Sequence, residues 1–500
     1  MTLKKVFALL ILASALSLGA CSGVKSGKGN GRGGTAKVFI TLTASPLTPP
    51  SSTNLLSFSV AVAGISLTPA AGGTPVNISL NNDNYSVDLT RLQSDSAFVA
   101  ATTSIAAGTY STMTVSLTSP LVTYCTQTTG GTGCANGSVA MFTTGAAVAP
   151  QITTAPFPIT LIANQTQGLA ININLQNALT VAVNQTVTAV NLGATNVVTA
   201  STLPPASSSL PGSGELSFVE DVTGVVTAVS ASAQSVTVKT ATRGSFTAIA
   251  NSSTVFSPNC TNFNLSLTFA SCVVQGHVAS LDMELNTDGT FTLLEYDPLA
   301  TTTGDWIEGI ITAPPTSTTQ FQFVANDFVL STTNSLIGTG LVLSDPVNIT
   351  LASPLPFVVD NKGLVVPATS FTGSTDTSFL QPGQTVAVRL SAFTAGSGST
   401  FAAASVNFLY LRFSRVTGTV VSANPPNTFS VQSLPPFFGV TVPLVVQVST
   451  GSPSTNFDGI SGASGMAAGQ SVSISALYFG SPTGPTPTPT EFSAAKVRVP

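Results

Sequence analysis

Charge is what this sequence has least of. Of 500 residues, 15 are Lys or Arg and 19 are Asp or Glu, 7% together, against roughly 25% in ordinary soluble proteins. Nucleic-acid binding through counterion release needs Lys and Arg gathered on one face. The one tight basic group, Lys25, Lys28 and Arg32, sits in a Gly-rich stretch near the N-terminus, so no nucleic-acid partner is expected. Imidazole is nearly absent too. His277 is the only one, which leaves a single place for a Ser/His/Asp triad and too few ligands for a His/Cys zinc site. Neither a Gly-x-Ser-x-Gly elbow nor a phosphate loop occurs, and no cofactor or metal is expected. With one Trp and six Tyr, an aromatic-lined sugar cleft has little to draw on. Disorder is excluded from the other side, because 43% of residues are hydrophobic, mean hydropathy is +0.42 and net charge is only -4.

The first apolar run, Val6 to Leu18, follows Lys4 and Lys5 and is too short for a permanent membrane helix. It reads as a secretory signal over 1-20. Leu18-Gly19-Ala20-Cys21 resembles the bacterial lipobox, which implies lipidation of Cys21, and several acyl chains anchor stably where one does not. Ser22 in place of Asp favours, by the same resemblance, an outer-membrane lipoprotein on the periplasmic side or the cell surface. Residues 21-35 read as a flexible tether. Four cysteines remain, Cys125, Cys134, Cys260 and Cys272, and they allow three pairings. Local bridges are the simplest, Cys125 to Cys134 and Cys260 to Cys272, as expected in an oxidising compartment.

Past Ala36, segments such as Val38-Phe39-Ile40-Thr41-Leu42 and Val386-Ala387-Val388-Arg389-Leu390 alternate apolar and small polar residues, then meet Gly, Pro or Asn. Period-two alternation without a long amphipathic stretch predicts an all-β protein. The Pro/Ser-rich segment 201-215 separates a β-sandwich over 36-200 from a region that repeats three landmarks. A Gly opens a β-branched run at Gly224, Gly309 and Gly418. A Phe- or Val-rich strand follows, and then a Gly turn at Gly276, Gly383 and Gly469. The order predicts three small β-barrel-like repeats, over 216-301, 302-412 and 413-500, since closure removes edges that uncharged strands cannot protect. The tract Ser481 to Thr490 reads as an exposed stiff loop.

These residues resemble a pairing of uncharacterised domains in Acidobacteria-type envelope lipoproteins. Leu42-Thr43-Ala44-Ser45-Pro46 is similar to that family's Leu-Thr-Asp-Ala-Pro strand end, with Ala44 where the family usually has Asp. Val60 to Leu67, Asp88-Leu89-Thr90-Arg91-Leu92 and Ala107-Gly108-Thr109-Tyr110 continue the likeness. The resemblance implies an envelope location and β architecture, and no established activity.

Acidic residues crowd between Asp282 and Glu308. The pattern reads as a solvated hairpin turning at Asn286-Thr287-Asp288-Gly289, and the alternative is an exported hydrolase using two of these carboxylates. Trp306 and Glu308 are the candidate ligand contacts. Asn81-Asn82-Asp83-Asn84 reads as a turn that lacks full calcium-loop spacing. The expectation is a non-enzymatic protein, held to the membrane by its N-terminal lipid, with a structural or binding role toward an envelope protein or a surface polysaccharide. Self-association through uncharged strand edges accompanies it. An integral outer-membrane barrel is disfavoured by frequent Pro and scarce aromatic girdle residues.

Overall fold

A computed structural model describes residues 33–47, 54–126, 133–203, 218–352, 355–365, 371, 375, 377–397, 400–438, 443–451, 454–479 and 491–499. The signal 1–20, Cys21, most of the tether, residues 204–215 of the linker, the first two residues of the 216-301 repeat and the tract 481–490 lie outside them. The described chain is nearly all β.

Eleven strands of the N-terminal region form one sheet that folds over at Val76–Leu80. On one side of the fold run Val198–Leu203, Thr166–Asn174, Thr35–Ser45 and Ala97–Ala106. On the other run Asn54–Pro69, Gly108–Cys125 and Val139–Thr143. The two layers close on a core that includes Ile40, Val60, Leu117 and Ile171, as facing sheets do when inward residues interdigitate. Thr35–Ser45 is buried on both faces. Val38, Ile40 and Leu42 enter the sandwich core, while Phe39 joins Phe98, Phe246 and Phe291 outside it. Phe98 meets Phe246 and Phe291 edge-on, with ring centroids 6.4 and 5.2 Å apart. This aromatic seam joins the sandwich to the first barrel, and it explains why apolar Phe39 stands between the core residues Val38 and Ile40.

Three closed barrels follow. The first comprises Phe218–Ser230, Ser235–Lys239, Ser245–Phe256, Val278–Leu285 and Phe291–Ala300. The second comprises Trp306–Ile311, Gln320–Val329, Pro346–Leu351, Thr385–Thr394 and Ala402–Arg412. The third comprises Ser414–Asn424, Thr428–Gln432, Leu444–Val448, Ser471–Phe479 and Glu491–Arg498. Strand order is 1-2-3-5-4 and back to 1 in each, with strands 3 and 5 parallel and every other pair antiparallel. This is a five-stranded Greek-key barrel of the OB type.

The three sequence landmarks have steric causes. A Cβ on Gly224 would lie 2.3 Å from the carbonyl oxygen of Lys239, and one on Gly309 2.4 Å from the ring of Phe323, so the first two strands approach each other only over glycine. Gly224→Ala is expected to destabilise the protein by about 1–3 kcal/mol in a denaturant titration. Gly418→Ala should cost less, its nearest neighbour being 3.0 Å away. Gly276, Gly383 and Gly469 adopt φ of 88°, 90° and 85°, a left-handed turn that glycine enters at little cost. Their N–H groups donate to Val226, Ile311 and Val420 at 2.8, 2.8 and 2.9 Å, so the turns close the three barrels identically. His277 stands where the other barrels have Gln384 and Gln470. Those glutamines accept from the backbone N–H of Gln381 and Ala467 at 2.7 and 3.1 Å. His277 is buried, and burial lowers its pKa, so the single imidazole occupies a turn position.

Both local disulfides form, Cys125–Cys134 and Cys260–Cys272, with Cα atoms 5.4 and 5.5 Å apart. The first also docks its own loop. The N–H groups of Gly133 and Cys134 donate to Phe437 of the third barrel and Thr312 of the second.

Candidate functional site

Where the sandwich and the three barrels meet, the few charges of the chain converge. The position is set first by Asp88, whose Oδ1 accepts from the N–H of Phe58 and from the N–H and hydroxyl of Thr90, at 3.0, 2.9 and 2.8 Å. Its Oδ2 accepts from the Ser57 hydroxyl at 2.8 Å. The carboxyl thus caps the turn into the short 3-10 helix Arg91–Gln93. Leu89 and Leu92 enter the sandwich core, and Arg91 and Asp95 point the other way, into the junction. Asp88→Ala is expected to cost about 2 kcal/mol more than Asp88→Asn, which keeps the Oδ1 acceptor. Chemical denaturation of the two variants checks this.

Bulges aim the acids of the barrels. Register slips between Val219 and Val222, between Asp282 and Met283, and between Glu308 and Gly309. Such irregularities bend a strand and redirect a side chain, and here each slip delivers a carboxylate, from Asp221, Asp282 or Glu308. Arg412 ends one barrel and Arg415 begins the next, with Phe413 and Ser414 between them.

Arg412 is the centre. Its guanidinium meets Glu308 at 3.2 Å, Asp297 at 3.4 Å and Asp221 at 3.5 Å, and is closest to Asp360. Arg415 pairs with Asp95 at 2.9 Å and, more tightly, with Asp221. Arg91 bridges Glu308 at 2.9 Å and Asp327 at 3.3 Å, and Arg243 reaches Asp327 at 2.8 Å. Lys362 holds Asp221 at 2.8 Å and Asp282 at 3.0 Å. Lys496 holds Glu220 at 2.7 Å, and Arg498 holds Asp458 at 2.6 Å. Asn259 donates to Asp297 and Asp360 at 2.9 and 3.1 Å.

Burial alone would raise Asp221, but Lys362, Arg415, Arg412 and Arg91 reverse this and hold it well below the usual carboxylate range. Glu308 is likewise raised by burial and then lowered further by Arg91, Arg412 and Arg415. Three acids go the other way. Burial outweighs Lys496 and pushes Glu220 up to about 7. Burial together with Asp282, Asp297 and Asp360 raises Glu295, and burial together with Asp360 raises Asp297. Ten carboxyl groups thus share the junction with seven cations, and these three are the acids whose surroundings most favour the protonated form.

Residues 35–189 match the family described as Domain of unknown function (DUF4382). No curated protein and no solved structure matches the chain. The DUF4382 region takes in the sandwich up to the strand Val187–Val190, including Asp88, Arg91 and Asp95, its contribution to the junction. Ala44 lies in the sandwich core, and the Tyr110 hydroxyl donates to the Ala106 carbonyl at 2.8 Å, stapling the turn before the long strand.

The acidic stretch from Asp282 to Glu308 is not the solvated hairpin expected from sequence. Thr287 and Asp288 at its turn are exposed, but Asp297, Asp305 and Glu308 are buried, Asp297 and Glu308 because the strands that carry them line the junction. Asp305 is satisfied locally by Ser335 and the Ile337 N–H at 2.8 Å each. Trp306 and Glu308 share a strand and point to different places. Trp306, 3% exposed, packs with Tyr410 and Phe408 against Val225, Val278 and Leu299, between the first two barrels. Glu308 is in the ion network, so neither residue presents itself to a ligand at the surface. Asn81 and Asn82 use their amides on the carbonyls of Arg243 and Thr242, at 2.7 and 3.0 Å, fastening the sandwich to the first barrel. Sequence reasoning missed Arg91, Lys362, Arg412 and Arg415. The available signal was their scarcity: in a chain so poor in charge, each basic residue within a strand or turn needs a buried reason.

Proposed function

We propose that this is a lipid-anchored protein of the cell envelope, acylated at Cys21, without catalysis, that holds its barrels in fixed relation and presents them to a surface polysaccharide. The observation that carries the reading is where the charge is. Seven cations are drawn inward, and matching positions on the outward second strands bear neutral polar groups, each bonded to a polar side chain on an adjacent strand. Thr237 meets Thr247 at 2.8 Å, Gln322 donates to Asn348 at 3.0 Å, and Ser430 meets Ser422 at 2.7 Å. Aligned hydroxyl and amide groups suit a neutral polyol chain, which competes for hydrogen bonds without charge. By fold analogy alone, the face of strands 2 and 3 is where OB-type barrels take oligosaccharides.

The test is capture. The full chain carrying Cys21→Ser, which cannot be acylated, is immobilised and exposed to the polysaccharide and detergent-soluble fractions of the envelope. Retention of a glycan through a high-salt wash is expected, and its loss in Thr237→Lys, Gln322→Lys and Ser430→Lys variants. Retention of a protein alone, of nothing, or of the glycan by the Lys variants would count against the reading.

A further inference from the structure

A cleft of about 240 Å³ opens between the first and third barrels, beside the loop that carries Lys362. Its walls include Phe218, Leu294 and Phe413, and its carboxylates are Asp95, Glu220, Asp221, Asp282 and Glu295, against Lys362 and Lys496. Taken pair by pair, Lys496 serves Glu220, Lys362 serves Asp221 and Asp282, and Arg415 serves Asp95 and Asp221. Glu295 is left over. Its Oε1 is shut off from solvent without a hydrogen-bond partner, and Lys362 acts on it from beyond its own ion pairs. A carboxyl in that position needs either a proton or a cation. Among the described residues no group of acids, His or Cys is arranged to hold a metal ion, and the walls are in good part apolar.

We propose that this cleft binds a compact organic ammonium compound, its charged head on Glu295 and its hydrocarbon body against Leu294, Phe218 and Phe413. Burial and the neighbouring Asp282, Asp297 and Asp360 raise the pKa of Glu295 in the empty cleft, and an ammonium head beside it lowers that pKa again. Binding is therefore coupled to proton release and strengthens as pH rises, until the amine itself loses its charge.

The experiment is calorimetry on the full chain carrying Cys21→Ser, at pH 8, in phosphate and in HEPES, whose heats of ionisation differ. The probes are n-butylammonium and the neutral n-butanol. The expected result is saturable one-to-one binding of n-butylammonium with proton release, roughly tenfold or more weaker in Glu295→Gln, and no binding of n-butanol. Leu294→Trp, which fills the cleft and leaves the ion pairs untouched, should abolish binding while preserving the melting transition. Absence of heat with n-butylammonium would mean that protons alone balance the junction and would overturn the proposal. Equal binding of n-butanol, or binding undiminished in both variants, would overturn it as well.

Discussion

Arg412→Ala should cost about 3–5 kcal/mol, the usual penalty for removing one partner from a buried ion cluster. The loss is larger than that of any one hydrogen bond. Asp221, Asp297, Glu308 and Asp360 would all face one another without the guanidinium that now reaches each of them. Lysine is not an adequate substitute. Its ammonium is a point charge, whereas the planar fork of Arg412 serves carboxylates on several sides at once, so Arg412→Lys should recover only part of the loss. Because Arg412 joins the first and second barrels and lies beside the start of the third, calorimetry should also show the melting transition splitting as the barrels uncouple. A single transition, displaced by less than about 1 kcal/mol, would mean that the junction behaves like a surface ion pair. Replacing the whole network by apolar residues of similar volume is a different experiment and need not destabilise, since buried pairs often repay little more than their own desolvation.

Stability should peak on the acidic side of neutrality. The carboxyl of Glu220 is raised from 4.5 to about 7 in the folded protein. The folded state therefore holds that proton more tightly than the unfolded chain. The resulting stabilisation is fully present below 4.5 and is lost as pH rises through about 7. Its size is about 3 kcal/mol, from roughly 1.4 kcal/mol per unit. Glu295 and Asp297, also raised, add to the decline. Asp95, Asp221 and Glu308 are lowered, so their contribution is present above the unfolded carboxylate range and disappears as pH falls. The two sets place the maximum near the unfolded carboxylate range, at about pH 4.5, with a decline from there to about 7. Glu220→Gln should flatten the decline across that window and leave the acid limb in place. Denaturation midpoints measured from pH 3 to 9 decide it, and wild-type stability that climbs steadily to pH 8 would refute it.

Much of the architecture is legible in local chemistry. Alternation of period two dictates strands wherever one face is buried, so the all-β class follows from composition and spacing alone. The glycines at 224, 309 and 418 and at 276, 383 and 469 repeat because close strand approach and left-handed turns admit little else, and three barrels follow from their shared order. The local disulfides are legible for a similar reason, since nearby cysteines at a chain reversal meet before distant ones.

The junction is another matter. Arg91 lies 217 residues from Glu308, and Arg415 320 residues from Asp95. A charge carries no sequence mark of the partner that will neutralise it. Asp282 to Glu308 looks solvated because acidic residues near a turn usually are, and the surroundings that bury them come from three other parts of the chain. Trp306 looks like a binding aromatic until Tyr410 and Phe408 are seen covering it. The sequence by itself thus determined strand pattern and barrel count and made local disulfides the simplest pairing, all of which depend on neighbours within tens of residues. Only the tertiary structure decided where the charges go, because desolvation and ion pairing depend on distance in space, and bulges of a single residue turn those side chains inward.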